Sequence, residues 1–161
     1  MNQDATEEYE LLYTSPQGGQ VWAHHLHGKE ELPANENIAR ILAYFGEVVW
    51  LLSTSGEPDA KNPDASIDGA VWEFKTNSTG TGTSIDTEIK RAAKQANNVL
   101  LHLTVPMRIQ DLENAIFGRV RQCAKLLKLR IIYQRQLYEF TRADIMSQAF
   151  RGRMKGEGSP T

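Results

Sequence analysis

Asp64, Glu73 and Lys75 are the residues whose types and spacing could do chemistry. They lie in the run Asn62-Pro63-Asp64-Ala65-Ser66-Ile67-Asp68-Gly69-Ala70-Val71-Trp72-Glu73-Phe74-Lys75. Asp68-Gly69 is a two-residue hairpin signal, because a type I′ turn needs positive φ at both central positions. Counting outward pairs Ile67 with Ala70, Ser66 with Val71, Ala65 with Trp72 and Asp64 with Glu73. Two carboxylates then face each other with Cβ atoms roughly 4.5–5.5 Å apart. Side chains alternate along a strand, so Lys75 shares the face of Glu73 while Trp72 and Phe74 point to a core. Like charges directly opposite destabilise a sheet. A divalent cation between them is the natural remedy, and two oxygen ligands suit Mg²⁺ or Mn²⁺. A lysine beside such an ion suits phosphodiester hydrolysis, in which the metal supplies Lewis acidity and lowers the pKa of its water. The plainer alternative is an ordinary exposed Glu73–Lys75 pair with Asp64 at a loop end. Asp68 reads as a turn former rather than a ligand.

The flanking sequence must position these groups. Residues 1–20 read as polar, with a turn at Ser15-Pro16-Gln17-Gly18-Gly19. Val21–Ala23 reads as a short strand. His24, His25 and His27 follow, and read as solvated or substrate-side residues rather than a zinc site. Ile38, Ile41, Leu42 and Phe45 recur at helical spacing and predict a helix over 34–45, started by Pro33 and stopped by Gly46. Residues 47–52 read as a buried strand, 53–62 as a loop, 63–76 as the hairpin and 77–84 as a flexible polar loop. A helix is expected over 85–98, capped by Ser84 or Asp86, with Ile89, Ala92, Ala93 and Ala96 buried. A strand over 99–105, a helix over 110–127 and a strand or hairpin over 129–140 complete the order. This predicts an α/β or α+β fold with a mixed central sheet flanked by helices. One domain is expected over 1–150, with its core in 30–140, and 151–161 as a disordered tail.

Composition narrows the class. The 161 residues include three Trp, five Phe and five Tyr, enough for a core. No apolar run is long enough to span a membrane, and no signal peptide is visible. One cysteine, Cys123, makes no intrachain disulfide, and a reducing compartment fits. Asn77-Ser78-Thr79 matches a glycosylation acceptor and reads as chance without a secretion signal. The net charge of −2 conceals an asymmetry. Residues 1–89 carry 4 basic and 15 acidic side chains, whereas 90–161 carry 14 and 5. A basic face beside carboxylates suits a polyanion whose backbone approaches metal ions. Mutual neutralisation of the two halves is the alternative.

Pro63-Asp64 and Glu73-Phe74-Lys75 resemble the signature of the PD-(D/E)XK nuclease superfamily, the restriction-endonuclease-like phosphodiesterases. Within it, residues 30–105 are similar to the C-terminal tRNA-nuclease domains of contact-dependent growth-inhibition toxins of the CdiA type, and to related phage-borne domains. The likeness runs through Glu36-Asn37-Ile38-Ala39, Gly46-Glu47-Val48-Val49, the hairpin, and Gln95-Ala96 before Val99. It implies that Asp64, Glu73 and the Phe74 carbonyl ligate Mg²⁺ or Mn²⁺, with Glu36 joining directly or through water. It implies that Lys75 orients or helps deprotonate the attacking water, that Gln95 supports the site, and that Arg91 and Lys94 hold flanking phosphates. Glu36 has a simpler reading as a carboxylate near a helix N-terminus. The function so implied is a metal-dependent nuclease, a tRNA-cleaving toxin domain. It would act in the bacterial cytoplasm after delivery into a target cell and be restrained by a cognate immunity protein. A DNA endonuclease, or a catalytically silent nucleic-acid-binding or phage structural module, are the alternatives.

Overall fold

The computed structural model describes residues 7–56 and 61–155. The chain divides into two compact units, 1–72 and 73–161.

The first unit holds β1 (Tyr9–Thr14), β2 (Gln20–His24), α1 (Leu32–Tyr44), β3 (Val48–Leu51), β4 (Ala65–Ile67) and the start of β5 (Ala70–Asn77). β2 and β3 run parallel; the β1–β2, β3–β4 and β4–β5 pairs are antiparallel. Pro33 lies in the first turn of α1, where a missing N–H costs nothing. Gly46 ends the helix at φ 93°. α1 packs on β2 and β3, and its buried stripe is Ile38, Ala39, Leu42 and Ala43. Phe45 corrects the expected stripe: it caps the helix end and is 46% exposed. The Ser15–Gly19 turn is tied to α1, because Ser15 Oγ donates to the Ala43 carbonyl at 2.6 Å.

The second unit continues β5 and adds α2 (Gly82–Ala92), β6 (Asn98–Leu103), α3 (Ile109–Val120), β7 (Lys128–Tyr133), β8 (Gln136–Thr141) and α4 (Arg142–Met146). β5, β6 and β7 are parallel, and β8 returns antiparallel. Ile85, Ile89 and Ala92 of α2 and Leu112, Ile116 and Val120 of α3 meet Val99, Leu101, Leu129 and Ile131 in one core. Among the described residues eight strands are hydrogen-bonded in chain order, giving the mixed sheet with flanking helices that the sequence predicts.

Several expectations need correction. β1 lies inside the stretch read only as polar, where no strand is expected. α2 ends at Ala92 rather than Asn98, where Lys94 and Gln95 make i→i+3 amide bonds that close the last turn. Its N-cap is Thr81, with Ser84 at N3 completing a reciprocal capping box. α3 ends at Val120, not 127. Of the two readings of 129–140, a strand or a hairpin, the hairpin holds. Met154 is 1% exposed within the second unit's core, so ordered chain continues past Phe150; residues 156–161 of the expected tail lie outside the described residues.

Candidate functional site

The hairpin is the scaffold. Asp68 and Gly69 adopt φ 51° and 80°, as a type I′ turn requires. The ladder pairs Ile67 with Ala70, Ser66 with Val71 and Ala65 with Trp72, the register counted from sequence. Asp64 lies one residue before β4. Its amide donates to the Trp72 carbonyl at 3.1 Å and its carbonyl accepts from Leu52 at 2.9 Å. The Asp64 side chain is buried, at 7% exposure. Glu36 stands on α1, where its carboxylate accepts from Arg40 Nε at 2.7 Å, one helical turn on. The Arg40 guanidinium also lies 4.7 Å from the centroid of the Tyr13 ring.

The three histidines divide. His27 is buried and structural: Nδ1 is 2.6 Å from the Leu52 carbonyl, and Nε2 lies 3.1 Å from the Asn35 amide. That pattern fits a neutral ring with Nδ1–H donating and Nε2 accepting. His24 stacks on His25 and meets the edge of Tyr9. Only His25 is exposed as the solvated reading expects, since the His24 side chain is 10% exposed with Nε2 3.5 Å from Glu8, and among the described residues no three His, Cys, Asp or Glu side chains are grouped to hold a metal.

In the second unit β5 presents a polar stripe. Glu73, Lys75 and Asn77 pair with Val99, Leu101 and Leu103 of β6. Partners in a ladder point to the same face, so the stripe borders the core beneath α2 and α3. Glu73 is 6% exposed, and Lys75 Nζ lies 3.7 Å from its Oε2. Phe74 and Trp72 point the other way and are each 3% exposed. Asn77 is fully buried. Its Oδ1 accepts from the amides of Thr79 and Gly80, and its Nδ2 donates to Ser84 Oγ at 3.0 Å. Glu88 stands four residues beyond Ser84. Residues four apart share a helix face, so strand spacing of two meets helix spacing of four. Burial raises the Glu88 pKa, against the pull of the Asn77 amide and of the Lys75 and Arg91 charges.

Arg91 and Lys94 are exposed at the end of α2, and Gln95 is half-buried in the turn that follows. Asp86 and Arg119 bond through two contacts of 2.9 and 3.1 Å, locking α2 to α3. Asn77 and Glu88 are the residues that sequence reading misses. Asn77 reads as loop, and Glu88 draws no reading at all. The available signal is the Ser84–Glu88 spacing at the start of an amphipathic helix.

None of the helices among the described residues is long and apolar enough to cross a membrane. Residues 61–136 match the family described as the contact-dependent growth inhibition CdiA C-terminal domain. The matched span contains both halves of the Asp64 and Glu73-Phe74-Lys75 signature. Among solved structures the chain is similar to the CdiA-CT/CdiI toxin and immunity complex from Burkholderia pseudomallei. That likeness has a TM-score of 0.51 and 23% identity, over 70% of this chain and 85% of the other. It shows a shared fold. No curated protein sequence matches this chain.

Proposed function

We propose that this protein is a metal-dependent nuclease that hydrolyses phosphodiester bonds, a toxin of contact-dependent growth inhibition whose favoured substrate is tRNA. The observation that carries the reading is the buried Glu73 carboxylate with the Lys75 ammonium 3.7 Å away on one strand face. Support also comes from the buried Asp64, whose amide bonds the residue before Glu73. The family match over 61–136 supports the toxin role.

The donor set fits a hard ion. Asp64, Glu73 and the Phe74 carbonyl are all oxygen ligands, and Mg²⁺ takes few carboxylates and keeps several waters. Glu36, already held by Arg40, would join through water. When bound, Mg²⁺ or Mn²⁺ supplies Lewis acidity and a water of lowered pKa. Lys75 orients the attacking water and offsets charge on the pentavalent phosphorane. Arg91 and Lys94 hold flanking phosphates, and Gln95 supports the site from the turn after α2. Water as nucleophile makes the 2′-hydroxyl dispensable. The structural neighbour is a toxin and immunity complex; by that likeness a cognate immunity protein restrains this chain in the producing cell, and the nuclease acts in the cytoplasm of a target cell.

Incubation with tRNA, total RNA and plasmid, with and without Mg²⁺, tests the reading. The expected result is metal-dependent RNA cleavage that persists when the scissile nucleotide is 2′-deoxy. Cleavage of plasmid alone would make it a DNA nuclease. Binding without cutting would make it a silent module.

A further inference from the structure

A lysine that must sit beside a phosphate cannot be anchored only by a carboxylate that also ligates an ion. Lys75 is paired with Glu73. Once Glu73 gives its oxygens to a divalent cation, its attraction for an ammonium is largely cancelled, and the ion itself repels the lysine. A second anion close to Lys75 would then have to hold it.

Glu88 stands in that position. Lys75 and Asn77 share one face of β5, two residues apart. Ser84 and Glu88 share one face of α2, four residues apart. Asn77 Nδ2 donates to Ser84 Oγ at 3.0 Å, and its own oxygen is occupied by the amides of Thr79 and Gly80. That bond fixes the face of α2 that carries Glu88 against the strand that carries Lys75. Among the described residues Glu88 Oε2 is buried and has no hydrogen-bond partner. Leaving such an oxygen unsatisfied is costly, and the nearby Lys75 ammonium already acts on this carboxylate electrostatically.

We infer that Glu88 is the positioning residue for Lys75: carried on the α2 face that Ser84 ties to β5, it offers its buried, unpartnered oxygen to the ammonium when Glu73 turns to a divalent ion. The inference rests on the nuclease reading above. Glu88 touches neither substrate nor ion. It acts through Lys75, keeping the ammonium directed at the phosphate while Glu73 is engaged.

The test uses the full chain with the variants E88Q, which keeps the size and removes the charge, and E88D, which keeps the charge. In one arm NMR follows the Lys75 ammonium signal, assigned by its loss in K75A, as Mg²⁺ is added. The signal should persist in wild type and E88D and broaden away in E88Q. Identical behaviour in E88Q and wild type overturns the inference. In the other arm E88Q should lower kcat on RNA by about 10- to 100-fold with KM little changed, and E88D should restore part of it. An unchanged kcat in E88Q overturns the inference, as does an equal loss in both variants. A wild-type protein that cuts neither RNA nor DNA ends the nuclease reading, and the NMR arm then decides the role of Glu88 by itself.

Discussion

Glu73 and Glu88 are carboxylates with opposite neighbours. Glu73 has an ammonium within 3.7 Å, whereas Glu88 is dominated by desolvation, which raises its pKa. A carboxyl whose folded pKa lies above its unfolded value stabilises the fold below the unfolded value and loses that contribution as pH rises through the folded one. At neutral pH the ionised Glu88 is thus a cost to the fold. E88Q should melt at or above the wild-type temperature at pH 7, with the difference shrinking toward the ordinary carboxylate range near pH 4. Thermal unfolding across that range checks this, and a clearly lower midpoint for E88Q at pH 7 would contradict it. Reduced turnover in a variant no less stable is the pattern of a functional site that holds a strained charge. Glu73 and Lys75 are legible in sequence because strand alternation and a turn signal suffice to place them on one face. Glu88 is not, because its contact with β5 exists only once α2 docks on the sheet.

The hairpin shows how local chemistry sets register. Asp68-Gly69 specifies its turn outright, and the observed pairing follows the count for Ile67–Ala70, Ser66–Val71 and Ala65–Trp72, while Asp64, expected opposite Glu73, lies outside the ladder. Gly69 sits at φ 80° with nothing within 4 Å of an added Cβ, so its requirement is conformational and not steric. G69A should cost about 1 kcal/mol in denaturant unfolding; no loss would mean that another residue sets the turn. The β7–β8 hairpin is less legible, because its turn residues, Gln134 and Arg135, occupy the left-handed region at φ 47° and 66° without the usual Asn or Gly. Replacing them by Q134N and R135G should stabilise the protein by about 0.5–1 kcal/mol in the same assay. A loss would show that the native side chains contribute more there than turn strain costs. β1 escapes sequence reading for a different reason. Tyr9–Thr14 carries a bulge between Leu11 and Tyr13 and exposes the adjacent Glu10 and Leu11 and then Thr14, so no clean period of two survives. The early stop of α2 is set by amide bonding after Ala92, which composition alone does not reveal.

Across the whole molecule, charge follows the two units. Residues 1–72 carry 3 basic and 12 acidic side chains, net −9, and residues 73–161 carry 15 and 8, net +7. The second unit holds Lys75, Arg91 and Lys94, and its basic excess suits a polyanion. RNA binding by E73A should weaken at least roughly tenfold between about 50 and 200 mM salt. A flat response would remove phosphate contacts from the description of this unit. The fold class was readable because strand and helix periods alternate plainly from residue 34 onward. The division into two units was not, because β5 runs through the boundary without a linker. What decides the nuclease reading is the single-turnover rate of tRNA cleavage in Mg²⁺ by wild type beside E73A and K75A, each checked for folding. The prediction is metal-dependent cutting by wild type and a loss of at least about 100-fold in each variant. Cleavage that survives in both, or that needs no divalent ion, would contradict it.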